Sequence, residues 1–448
     1  MIVTERRGGL IEGTPYESYA YAYPHKTAYG PLAPPVPLAE LWAGEARDAL
    51  FLYFHIPFCE MRCGFCNLFT TPNPPEETEA LYLAALERQA QQVRAALGGD
   101  VRFARMALGG GTPTYLSSAG LMRVFDLAER LFGTDLARIP ISVETSPRTA
   151  TEAPGKLSLL RDRGVDRISI GVQSFVEAET AAIGRAQKTP LVEAALAAIR
   201  AAGFPTLNID LMYGLPGQTP ATWEQSLRAA LAYTPEEIYL YPLYVRPLTG
   251  LGLSARAWDD QRLSLYRQAC DLLGAAGYEQ VSMRMFRAPH APPETQGDGP
   301  VYCCQEDGMV GLGCGARSYT RALHYSSEYA VGRAGVKSIL ADYIARPDAA
   351  FAVADYGAAL SPDEQRRRYL IYTLLTVDGV DRAAYRARFG TDLLTDLPQL
   401  TELEEGGLAV RTADRLRLTS RGIERSDVVG PWLYSDAARA QMGTFALR

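Results

Sequence analysis

Between residues 51 and 243 the chain repeats one pattern, a short apolar or β-branched run followed by a helical stretch. The runs are 51–57 (FLYFHIP), 104–108, 140–144, 167–171, 206–211 and 237–243. Helical spacing fills 76–97, 117–132, 155–163, 189–202 and 222–232. Such alternation implies a parallel sheet. Six units rather than eight give an α/β fold built on a partial (β/α)6 barrel of the TIM type, open on one side. In such barrels the site lies at the C-terminal ends of the strands. Those ends carry Gly109-Gly110-Gly111-Thr112, Glu144, Gln173 and Asp210, which points them all into one pocket. Arg185, a little further on, can pair with a carboxylate through both arms of its guanidinium.

The first strand runs through His55-Ile56-Pro57-Phe58 into Cys59-Glu-Met-Arg-Cys63-Gly-Phe-Cys66. Three thiols on one loop imply a metal centre. Iron–sulfur clusters normally take four cysteine ligands, so three leave one iron open. That iron can hold the amino and carboxylate groups of S-adenosylmethionine (SAM), and an electron from the cluster can then break a carbon–sulfur bond. Zinc sites use paired cysteines and a nearby fourth ligand, and no second pair stands at a suitable spacing. Phe65 either shields the cluster or packs the loop. Gly110 and Gly111 let the backbone approach a ligand closely, and Glu144 suits ribose hydroxyls or an ammonium. His55 is the histidine placed in the site, with His25 a weaker candidate. Cys303, Cys304 and Cys314 are read as structural thiols by default, with a covalent or hydrogen-atom-donating role as the alternative.

Around this core three more segments are expected. Residues 1–50 form an arm, with Tyr16, Tyr19, Tyr21, Tyr23 and Tyr29 around Pro24-His25-Lys26; it is either a packed surface segment or a lid. Residues 51–250 are the core, and 251–355 extend it and close the site, with a helix at 258–276, an extra strand near 278–281 and a Gly-rich turn at 311–316. Residues 356–448 read as a small winged-helix-like domain: helices at 362–376, 381–389 and 394–405, then a hairpin and a final helix. Its acidic surface favours a covering or docking role. The chain of 448 residues has a formal net charge of −6 and no basic run, which gives nucleic-acid binding no support. No apolar stretch of about 18 residues is present to span a membrane, and the N-terminus lacks a signal peptide's apolar core. Seven cysteines, three of them crowded, argue for a reducing cytoplasm over a disulfide framework.

Taken together, Tyr53-Phe-His55-Ile-Pro-Phe-Cys59-x3-Cys63-x2-Cys66, the GGGTPT stretch, Ile-Ser-Val-Glu144, Ile-Gly-Val-Gln173-Ser-Phe, Asn-Ile-Asp210-Leu-Met-Tyr-Gly-Leu-Pro and Gly-Leu-Gly-Cys-Gly-Ala resemble the radical SAM family. More narrowly, residues from about 20 to 435 resemble its oxygen-independent coproporphyrinogen III oxidase-like branch. The resemblance implies a [4Fe-4S] cluster on Cys59, Cys63 and Cys66 and a first SAM near Tyr53, Gly110 and Glu144. It also implies a second SAM against Phe65, Gly111, Thr112, Gln173, Arg185 and Asp210, with later contacts at Arg317 and near Tyr244 or Val245. A flavodoxin- or ferredoxin-type electron donor, a small-molecule substrate and a monomer complete the expectation. One position departs from the oxidase, whose further cysteine is Leu68 here. The expected activity is therefore radical cleavage of SAM with methyl or methylene transfer to an sp2 carbon. The alternatives are a haem-binding chaperone and a tetrapyrrole-modifying, oxidase-like enzyme.

Overall fold

In the computed structural model the six apolar runs become six strands: β1 (Leu50–Ile56), β2 (Phe103–Gly110), β3 (Ile141–Thr145), β4 (Arg167–Gln173), β5 (Thr206–Tyr213) and β6 (Glu237–Pro242). Each pairs parallel with the next. The structure describes residues 10–20, 22–253, 260–293 and 308–445, so Tyr21, Cys303 and Cys304 lie outside the described residues. Helices Glu76–Leu97, Ser118–Asp126, Pro154–Asp162, Thr189–Ala202 and Pro220–Leu231 fill the connections. The last begins two residues before its apolar spacing does. Thr219 caps it through a reciprocal bond with Thr222, and Pro220 suits the first helical position.

Alternation along each strand sorts the side chains. Leu52, Phe54, Leu108, Val143, Ile168, Ile170, Leu207, Ile209, Ile238 and Leu240 are buried and form the apolar layer. The residues between them, among them Tyr53, Glu144, Arg167, Asp210 and Tyr239, are of opposite parity and make a polar inner face. The expected partial barrel is thus an open sheet with its chemistry on one side.

The sheet continues beyond β1. Met309–Leu312 pairs parallel with β1. Arg317–Tyr319, Leu323–Ser326, Val353–Ala359 and finally Gly30–Pro37 follow in that order. These strands and the helix Arg333–Ala345 have no forerunner in the sequence reading, nor does the short helix Leu38–Ala43. Gly30–Pro37 carries four prolines (Pro31, Pro34, Pro35, Pro37), and it forms because it is an edge strand, where missing N–H donors cost no ladder bonds. The stretch at 311–316, read as a turn alone, opens with the last two residues of a strand, Gly311 and Leu312, and turns after them.

The described chain divides into two compact units. One comprises Gly30–Asp259 with His290–Ala358, and the other gathers the segment up to Tyr29, Asp260–Pro289 and Ala359–Phe445. The Tyr-rich arm therefore splits at Tyr29. Within the second unit Tyr23 donates to Glu364, which also accepts from Ser435 at 2.5 Å. Arg262 and Arg284 cover the rings of Tyr16 and Tyr19 at 4.4 and 3.6 Å. His25 caps its own turn at Lys26–Ala28. Helices Pro362–Leu374 and Arg382–Phe389 precede the antiparallel hairpin Ala409–Arg411/Arg415–Leu418, joined by Val380–Asp381 as a third strand. The helix expected over 394–405 is broken at Pro398, which cannot donate the bond a continuous helix needs.

Behind the cysteine loop, fully buried Tyr82 packs edge-on against Phe58, with ring centroids 5.1 Å apart, and donates to the His55 carbonyl at 2.5 Å. Replacing Tyr82 with Phe keeps the ring and removes that bond. A loss of about 1 kcal/mol is expected, read as a lower urea midpoint at an unchanged m-value.

Candidate active site

The register of β1 against β2 places His55 opposite Gly109 and Ile56 opposite Gly110, so the loops leaving both strands meet at the same edge. Their backbones bond directly: Gly111 N–H donates to the Ile56 carbonyl at 2.8 Å, and Thr112 N–H to the Phe58 carbonyl at 2.7 Å. A Cβ on Gly111 would lie 2.5 Å from the Phe58 oxygen and 2.9 Å from the Cys59 sulfur, so only glycine allows this approach. Gly110, at φ +113°, likewise clears the His55 ring, which a Cβ would meet at 2.6 Å.

Further bonds hold the cysteine loop. Gly64 donates to the Ile183 carbonyl and accepts from Leu251 N–H, each at 2.8 Å. The returning chain bonds Thr71 N–H to the Pro57 carbonyl at 2.6 Å and Asn73 N–H to that of Cys59 at 2.9 Å. Thr112 Oγ1 donates to Cys59 Sγ at 3.6 Å and Arg185 Nη1 to Cys63 Sγ at 3.2 Å. Burial pushes the Cys59 and Cys66 thiols up, and the neighbouring sulfurs add to the effect. Among the described residues no three His, Cys, Asp or Glu side chains converge closely enough to chelate one ion. A cluster, whose ligands bind different irons, needs them spread further apart.

Glu144 and Asp210 occupy the inner face. Glu144 Oε2 accepts from Gly110 N–H at 3.3 Å. A Cβ on Gly109 would meet both Glu144 Oε1 and the Tyr53 hydroxyl at 3.0 Å, so these two side chains converge on that turn. Glu144 keeps an exposed surface, yet protein atoms crowd its carboxyl. Loss of bulk water there pushes its carboxyl up to about 7, with the Asp210 charge adding. Asp210 is pushed up to about 6, first by burial, although Asn208 and Arg167 oppose the shift. Asn208 Nδ2 donates to Asp210 at 2.7 Å, and Ser169 Oγ donates at 3.4 Å. Arg167 pairs with Glu237 at 2.7 Å and bonds Ser142 at 3.0 Å.

Of the expected site residues, Cys59, Cys63, Cys66, Tyr53, Gly110, Gly111, Thr112, Glu144 and Arg185 are brought together by these contacts. His55 adjoins them, with Nδ1 3.3 Å from the Tyr53 hydroxyl and Nε2 3.1 Å from the Phe69 carbonyl, so its ring ties β1 to the end of the loop. Phe65, partly buried, packs against the apolar group of Ile183, Met212, Leu215, Leu243 and Leu251. Gln173 is buried at the end of β4 with φ +68°. Arg317 stands on the strand that follows Met309–Leu312, its guanidinium 5.9 Å from the Tyr319 ring. Tyr244 and Val245 follow the end of β6. Cys314 is buried and donates to the Ile339 carbonyl at 3.8 Å. The sequence reading missed Ser142, Arg167, Ser169, Asn208 and Glu237. Their signal was present as alternation: Ser142-Val-Glu144, Arg167-Ile-Ser169, Asn208-Ile-Asp210 and Glu237-Ile-Tyr239 put a polar group at every second position.

Because Glu144 holds its proton more tightly folded than unfolded, its contribution to stability is complete below its unfolded value. That contribution is lost as pH rises through about 7. Glu144→Gln abolishes this loss. The variant is expected to gain urea resistance relative to wild type at about pH 8 compared with about pH 5; an equal difference at both pH values would contradict the assignment.

Comparison with known proteins agrees with this geometry. The model of the radical SAM superfamily matches residues 53–230, and that of the HemN C-terminal domain matches 360–424. The oxygen-independent coproporphyrinogen III oxidase of Pseudomonas aeruginosa is 26% identical over 444 residues, covering 92% of each chain. That of Paracoccus denitrificans is 33% identical over 285 residues, covering 61% of this chain and 60% of the relative, so this match spans less than two thirds of that protein. The heme chaperone HemW of Bacillus subtilis is 29% identical, covering 85% of this chain and 98% of the relative. The solved structure of coproporphyrinogen III oxidase (HemN) from Escherichia coli shares the fold, with a TM-score of 0.75 at 23% identity over 94% of this chain and 99% of that one. Members of the radical SAM family use a [4Fe-4S] cluster and SAM. The three thiols and the glycine cradle beside Cys59 fit the first, and the Gly109–Glu144 turn fits the second. By its motifs, its fold and the two matched models, the chain carries a radical SAM domain over residues 53–230 and a HemN C-terminal domain over 360–424, and its relatives are HemN and HemW proteins.

Proposed function

We propose that this protein is a radical SAM enzyme whose substrate is a small molecule of the tetrapyrrole class. The observation that carries the reading is the loop Cys59–Cys66, bonded through Ile56 and Phe58 to a glycine turn whose N–H also meets Glu144. When bound, the cluster and SAM supply an electron and a cleavable carbon–sulfur bond, the source of a 5′-deoxyadenosyl radical. Cys59, Cys63 and Cys66 would hold the cluster. Glu144, the Tyr53 hydroxyl and the backbone of Gly109–Gly111 would orient the amino-acid and ribose ends of SAM. Gln173, Arg185, Asp210 and Arg317 remain the candidates for a second SAM or for substrate. A flavodoxin- or ferredoxin-type donor would supply the electron.

The names of the relatives support oxidase-like or haem-chaperone activity. They give methyl or methylene transfer, the expectation from the sequence, no support. Leu68 favours keeping the chaperone as the second reading: it replaces the oxidase's additional cysteine, and its side chain is 45% exposed.

Anaerobic reconstitution with iron, sulfide, dithionite and SAM separates these readings. The enzyme is expected to form 5′-deoxyadenosine, detected by mass spectrometry, and Cys63→Ala to lose both cluster absorbance and product. Stoichiometric haem binding with no 5′-deoxyadenosine would replace the enzyme reading by the chaperone one. Glu144→Gln should weaken SAM binding by about tenfold, the scale of one charge-assisted hydrogen bond. In wild type, affinity should fall as pH drops through about 7, where Glu144 takes up its proton. In the variant it should be flat.

A further inference from the structure

Strand β4 carries a bulge. Its register against β5 shifts between Gly171 and Gln173, where Gln173 turns to φ +68°. A bulge removes backbone groups from the ladder, and here two carbonyls take up side-chain donors. Gly171 O accepts from Arg185 Nη2 at 2.6 Å, and Val172 O accepts from Gln187 Nε2, also at 2.6 Å. Gln187 Oε1 in turn receives Arg185 Nε–H at 3.0 Å. Two of the three guanidinium nitrogens are thereby occupied by the scaffold, and the third, Nη1, is left aimed at Cys63 Sγ at 3.2 Å. Cys59 has a donor of its own. Thr112 Oγ1 reaches Cys59 Sγ at 3.6 Å. Thr70 is buried and its hydroxyl has no hydrogen-bond partner among the described residues.

The geometry points to Arg185 and Thr112 as positioned donors, to Cys63 and Cys59, that raise the reduction potential of the cluster, with Arg185 the dominant member and Gln187 its clamp. This rests on the cluster occupying the three cysteines. Adding one electron makes the cluster and its thiolates more negative. Donors to the sulfurs and a nearby cation stabilise that reduced form, and hydrogen bonds to sulfur and net charge are among the factors that set cluster potentials. Arg185 supplies both a donor and a full charge; a threonine supplies a donor only. In this role they are positioning residues, acting on the thiolates.

The test is a potentiometric titration with dithionite, followed by electron paramagnetic resonance, on the anaerobically reconstituted full-length chain. Iron and sulfide content of the wild type checks the underlying cluster reading separately. Arg185→Met is expected to be about tenfold harder to reduce, a shift of 59 mV to more negative potential for a one-electron couple. Arg185→Lys, which keeps the charge, should recover part of the shift. Gln187→Leu, which frees the guanidinium without removing it, and Thr112→Val should move the potential in the same direction by less. If Arg185→Met fails to load a cluster, Gln187→Leu and Thr112→Val decide. Wild-type potentials in the variants that carry wild-type iron content would overturn the proposal.

Discussion

The site depends on a backbone contact. Gly111 and Thr112 donate to the carbonyls of Ile56 and Phe58, which fastens the turn after β2 to the chain entering the cysteine loop. A side chain at Gly111 would strike both a carbonyl and the Cys59 sulfur. Because these are backbone bonds between adjacent parallel strands, the loop's position is set by sheet register, which shifts only with every other contact of β1 and β2. A long cysteine loop that would otherwise be floppy becomes part of the scaffold.

On the inner face the same sheet does electrostatic work. Polar residues at alternate positions leave two carboxyls, Glu144 and Asp210, both pushed up by their surroundings, with the Asp210 charge adding at Glu144. Arg167 is drawn to Glu237 and offsets only part of this. A cationic group approaching them would therefore meet carboxyls whose ionisation it restores. Pre-arranged charge of that kind favours a ligand carrying its own positive centres.

Much of the core could be read from the chain. All six barrel strands form within a few residues of the apolar runs, because a strand buried against helices needs a continuous apolar or alternating pattern that few residues encode. The helix at 76–97 forms over those residues. Where the reading fell short, the missing information was long-range. Gly30–Pro37 has no strand periodicity and becomes one by lying at the sheet edge. Leu323–Ser326 and Val353–Ala359 are too short or too rich in small residues to stand out alone. The apolar neighbours of Phe65, Ile183 and Leu215, are far away in sequence, so its packing could not be read locally.

By itself the sequence determined the βα repeat, the three-thiol loop at the end of the first strand and the polar residues at later strand ends, since each is written in spacing over a few residues. Tertiary structure alone decided that Arg185 turns one nitrogen toward Cys63, that Thr112 reaches Cys59 and that His55 spends both ring nitrogens within the protein. The physical reason is that local periodicity sets which face a residue occupies. Which sulfur a donor meets follows from register and from the β4 bulge, and those are settled only when strands distant in the chain pair.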